Sequence, residues 1–107
     1  VNIPSLLHRA QRHIDSGREH GKNHAYIFAL TEYKAALTVL QIIDEEWMEG
    51  RLELTPEEEF TLAALKESAQ LGVARLLNGH PNPPRDRNSE FVQVVKDILA
   101  DLERLFV

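Results

Sequence analysis

The sequence predicts an all-α fold, a small helical bundle with one short N-terminal helix and three longer ones, largely antiparallel. Three observations carry that expectation. Apolar residues recur at spacings of three and four through four segments, the pattern of a helix with one buried face. Glycine, proline and capping residues stand between those segments, and no run alternates apolar and polar as a half-buried strand does. The chain has 107 residues, room for one core, so residues 1–107 form a single domain.

Each element has its own signals. The first helix is expected from Pro4 to Asp15, since proline suits a first turn whose N–H groups lack helical partners. Leu7, Ala10 and Ile14 lie on one face beside Leu6; Ser16-Gly17 should end the helix, and Gly21 should keep the connection open. Asn23 is the expected cap of a second helix over His24–Glu49. Its stripe of Tyr26, Leu30, Tyr33, Leu37, Leu40 and Trp47, widened by Ala29, Ala36, Ile43 and Ile27, is broad enough to meet more than one neighbour. Gly50 stops it. Thr55-Pro56-Glu57-Glu58 then combines an N-cap, a first-turn proline and a reciprocal glutamate, the strongest start signal in the chain. Leu62, Leu65, Ala69, Gly72 and Leu76 line the third helix, where Gly72 should admit a close neighbour, and Asn78-Gly79 ends it. A stiff, proline-bearing linker over residues 79–88 leads to a fourth helix from Ser89 to the chain end. That helix carries Phe91, Val95, Ile98, Leu102 and Leu105 on one row and Val92, Leu99 and Phe106 on a second. It is expected to lie in the groove of helices two and three, with helix one covering only part of helix two. The start at Val1 and a helix reaching Val107 point to processing or excision from a longer chain.

Charge narrows the function. The net charge of −5 disfavours a general nucleic-acid binder, which needs cations to displace counterions from phosphates. The longest apolar stretch, Ala35–Ile43, is interrupted by Thr38 and Gln41 and falls far short of the ~20 residues that span a bilayer, so no membrane insertion is expected. The absence of cysteine removes disulfide and thiolate chemistry and fits a reducing, cytoplasmic setting. Glycine-rich phosphate loops and recognisable nucleophile–base pairs are missing, so the sequence points away from an enzyme, with no cofactor and no metal. Charge is also unevenly placed. Residues 44–59 hold eight acids against one base, Arg51, whereas the first 24 residues hold Arg9, Arg12, Arg18, Lys22 and four of the five histidines.

The acidic segment is therefore the candidate binding site. Antiparallel packing of helices two and three gathers its carboxylates at one end, and a basic protein partner would be steered there. Asp44, Glu45, Glu49 and Glu53 supply charge, while Trp47 and Met48 are residue types common in binding hot spots. Trp47 falls on the core stripe; Met48 lies off it and should be exposed. His20 and His24 have the spacing of helical zinc ligands, but no third ligand accompanies them. Exposed histidines are the expectation.

Two resemblances add alternatives. Arg75-Leu-Leu-Asn-Gly-His80 resembles the arginine–histidine signature of HEPN-type helical ribonucleases and toxin–antitoxin components, which implies Arg75 and His80 acting on an RNA phosphate across a dimer. Tyr26-x-x-Ala29-Leu30-x-x-Tyr33-x-x-Ala36-Leu37 is similar to the second-helix pattern of MIT and tetratricopeptide domains, which implies a groove that holds peptides. Taken together, the sequence favours a non-catalytic protein-interaction module, adaptor, regulatory or inhibitor-like. A homo-oligomeric structural bundle and a HEPN-like ribonuclease are the alternatives.

Overall fold

In the computed structural model, residues 2–78 and 89–106 are described, with side chains from 92 onward in the second segment. Four α-helices follow one another: α1, Ile3–Lys22; α2, Tyr26–Met48; α3, Pro56–Asn78; and α4, Ser89–Phe106. No strand occurs among the described residues. The linker over residues 79–88, and with it His80, lies outside them, as does the side chain of Phe91.

The first helix departs most from expectation. It has 20 residues, more than the 18 of α4, and runs through both glycines that were expected to end or loosen it. Gly17 is buried because α2 crosses there. A Cβ on it would stand 3.0 Å from the Tyr33 ring and 3.2 Å from the Ala29 carbonyl oxygen. Glycine costs a helix about 1 kcal/mol relative to alanine, and here the close helix crossing offsets that cost.

The helix stops instead at Asn23, which caps the end of α1 and not the start of α2. His24, at φ 61, takes the left-handed position usually given to glycine. Its N–H donates to the Gly21 carbonyl at 3.1 Å, and the Ala25 N–H donates to the His20 carbonyl at 2.9 Å. Those two bonds satisfy carbonyls that a helix end leaves without partners. The same pair recurs after α2, where Gly50 (φ 76) and Arg51 donate to the Trp47 and Glu46 carbonyls.

The start of α3 is as expected: the Glu58 N–H donates to Thr55 Oγ1 at 3.1 Å and the Thr55 N–H donates to Glu58 Oε1 at 2.9 Å. At the start of α1, Asn2 Oδ1 accepts from the Ser5 N–H at 3.1 Å.

The centre of the bundle is α2. It buries Ala29, Leu30, Tyr33, Ala36, Leu37, Val39, Leu40 and Ile43. By length and composition it is apolar enough to cross a membrane, but the wide apolar surface faces the other helices, as in a core helix. α1 runs antiparallel to α2, as the His13–Glu32 and Gly17–Ala29 contacts require, and makes the most extensive pairing among the described residues. α3 is also antiparallel to α2, with Gly72 against Tyr33 and Lys66 bonded to Asp44, and it shares its contacts between α1 and α2. Hence α1, not α4, occupies the groove between α2 and α3. The unbroken α1 offers Ile3, Leu7, Ala10, Ile14 and Gly17 along its whole length, which a shorter helix could not do.

α4 rests mainly on α2. Ile98 and Leu105 are buried and Val95 and Leu102 half-buried, whereas Val92, Leu99 and Phe106 remain close to half exposed. Only the first of its two predicted rows is therefore used. On α3 the buried face includes Val73, a position the sequence pattern did not single out, and leaves Phe60 exposed.

Candidate functional site

The acidic segment does assemble at one end, around the short turn between α2 and α3. Its charge is partly cancelled inside the molecule. Asp44 and Lys66 form an ion pair that is largely shielded from solvent and ties α2 to α3. The Arg51 guanidinium donates two bonds to Glu46, at 2.8 and 3.0 Å, and also pairs with Glu49. These contacts hold the Glu46 carboxyl below its ordinary range and push the Arg51 guanidinium up, both through hydrogen bonding first. Glu58 is used by the α3 cap.

What remains is a smaller set. Glu45, Glu53, Glu57 and Glu59 are exposed and form no ion pair among the described residues, although Glu45 accepts a hydrogen bond from Gln41 at 3.3 Å. Trp47 is half-buried and packed on the core, as its place on the stripe implied. Met48 is 75 % exposed. Phe60, on the second turn of α3, is 76 % exposed. Its signal was legible: Leu62 and Leu65 fix the buried face, and Phe60 falls off it.

Of the six residues singled out by sequence, Asp44 is thus a structural crosslink and Trp47 a packing residue. Glu45, Met48 and Glu53 are open to solvent, and Glu49 is shared with Arg51.

The opposite end has a different character. There the end of α1, the start of α2 and the end of α3 surround a cavity of about 540 Å³. Arg18, Lys22 and Arg75 line it together with His24 and Tyr33, and among the described residues no carboxylate does. Periodicity could not reveal this grouping, because it depends on α1 continuing past Gly17. A second, more open cavity of about 350 Å³ lies between the first turns of α1 and α3, lined by Leu7, His8, Glu57 and Leu65 among others.

The two histidines of the candidate pair each lie beside an aromatic side chain. His20 stacks near Phe28, with ring centres 5.8 Å apart, and His24 Nδ1 lies 3.0 Å from the Tyr26 hydroxyl. No group of metal-ligating side chains occurs among the described residues. Arg75 is exposed on α3, but its proposed companion His80 lies outside the described residues. Within the Tyr26–Leu37 pattern, Ala29 and Tyr33 lie against Gly17 of α1, and Tyr33 also against Gly72 of α3. Comparison with protein-family models, with curated proteins and with solved structures gives no match.

Proposed function

We propose that this chain is a non-catalytic protein-interaction module that docks a basic partner on its acidic end. One observation carries the reading. Among the described residues the two most exposed large apolar side chains are Met48, within the acidic stretch, and Phe60, which directly follows it. Leaving such side chains in water forgoes about 1.5–3 kcal/mol of burial each, which a partner can recover. The exposed carboxylates of Glu45, Glu53, Glu57 and Glu59, which form no ion pair among the described residues, lie in the same stretch and select for positive charge.

A lysine-rich amphipathic helical peptide is the appropriate probe, titrated into the full chain at low and high salt. Binding is expected to weaken as salt rises and to fall about tenfold or more when Met48 and Phe60 are both changed to serine. Binding indifferent to both changes removes this site from the proposal.

A second reading has its own observation. Val92, Leu99 and Phe106 recur every seven residues on α4 and remain close to half exposed, a row suited to a symmetric dimer. Sedimentation should then show self-association that Leu99→Lys abolishes. A monomer at every concentration excludes it.

A further inference from the structure

The cavity at the cationic end has a feature that its charges alone do not explain. Tyr33 is 3 % exposed, yet among the described residues its hydroxyl has no hydrogen-bond partner. A buried hydroxyl without a partner costs about 1–3 kcal/mol, so such groups are rare unless something else satisfies them. The phenol is held in place from both sides. Gly17 of α1 meets the ring, and Gly72 of α3 leaves so little room that a Cβ there would stand 2.5 Å from the hydroxyl. Two helices thus carry glycine where this side chain passes, and Tyr33 and Gly72 both line the cavity.

Around that donor stand Arg18, Lys22 and Arg75. Among the described residues Lys22 and Arg75 form no ion pair, and Arg18 pairs with Asp15 at 3.8 Å, beyond hydrogen-bond contact. Lys22 and Arg75 occupy the last turns of α1 and α3, where the helix dipole favours positive charge. That placement accounts for the cations, but not for a partnerless phenol held between two glycines beside them. α2 also begins at this cavity without a side-chain cap.

We infer that this cavity binds a small organic phosphate, a phosphomonoester carried on a flat apolar body. Arg18, Lys22 and Arg75 neutralise the dianion, the guanidinium forks matching phosphate oxygens, and the Tyr33 hydroxyl donates to it. A phosphate group alone fills only a small part of 540 Å³, a volume typical of sites for whole small molecules. The rest is walled by Tyr26, Leu71 and Leu76, which suit a ring. The site is separate from the acidic end and stands whether or not a protein docks there.

Calorimetry and amide-shift titration of the full chain test it, with adenosine monophosphate, adenosine and inorganic phosphate as probes. Adenosine monophosphate should shift the amides around Arg18, Gly72 and Arg75 and bind about tenfold or more tightly than either of its parts. Arg75→Gln and Tyr33→Phe should each weaken it about tenfold, the loss expected for a hydrogen bond to a charged group. Tyr33→Phe should leave the melting temperature unchanged or higher, so its loss of binding is not a loss of folding. Inorganic phosphate binding as well as the nucleotide overturns the claim of an apolar body. A single-stranded oligonucleotide binding far more tightly than the mononucleotide overturns it in favour of a nucleic-acid site. Absence of any shift at the cavity overturns it entirely.

Discussion

His24 occupies a backbone position that glycine would fill with less strain. Its φ of 61 belongs to the left-handed region, which costs a side-chain-bearing residue about 1–2 kcal/mol. The turn nevertheless forms, because two carbonyls of α1 gain partners through it. Replacing His24 with glycine should therefore raise stability by about 0.5–1 kcal/mol, after allowing for the freer unfolded chain, as measured by urea denaturation. A loss of stability would show that the imidazole contact with Tyr26 outweighs the strain.

Tyr33 makes the second residue-scale prediction. Burial raises its phenol pKa above the ordinary value of 10, while Arg18 and Arg75 pull it partly back. The folded protein holds that proton more firmly than the unfolded chain does. Its contribution is therefore intact below pH 10 and fades as pH climbs through and past that value. Across alkaline pH the wild type should lose stability more steeply than Tyr33→Phe; parallel curves would refute the assignment.

At the scale of elements, a polar side-chain crosslink ties α2 to each of its neighbours. Glu32 meets His13 of α1 at 2.7 Å, Asp44 meets Lys66 of α3, and Lys34 meets Asp101 of α4 at 3.2 Å. The last is the most exacting, because Asp101 is 7 % exposed and Lys34 is its recorded partner. Lys34→Met leaves a shielded carboxylate without its cation and should destabilise the protein by about 1–3 kcal/mol. Adding Asp101→Leu removes the orphaned charge and should restore most of that loss. Chemical denaturation of the two single variants and the double variant completes the cycle. A double variant no more stable than Lys34→Met would mean that the ion pair is not what seats α4.

For the whole molecule, unequal packing implies unequal stability. α2 touches all three other helices, whereas α4 depends mainly on α2. Local opening follows the number of buried contacts an element must give up. In native-state hydrogen exchange, amides at the centre of α2 should be the last to exchange and those of α4 the first among the helices. Equal protection throughout would indicate one cooperative unit. Charge divides along the same body, with unpaired carboxylates at the α2–α3 turn and cations around the cavity at the other end. Ligands of opposite sign are thereby directed to opposite ends.

The sequence by itself determined the helices, most of their buried faces and the acidic end, since these follow from the 3.6-residue repeat and from local caps such as Thr55–Glu58. Leu37, Leu40, Ile14 and Ile98 are buried where the repeat puts them. Tertiary structure decided where α1 ends, which helix fills the groove beside α2 and α3, and that three distant cations share a cavity with Tyr33. The reason is the same in each case. A glycine reads as a helix stop when judged alone, but Gly17 lies under Tyr33, a neighbour many residues away whose close approach is favourable only because no Cβ intervenes.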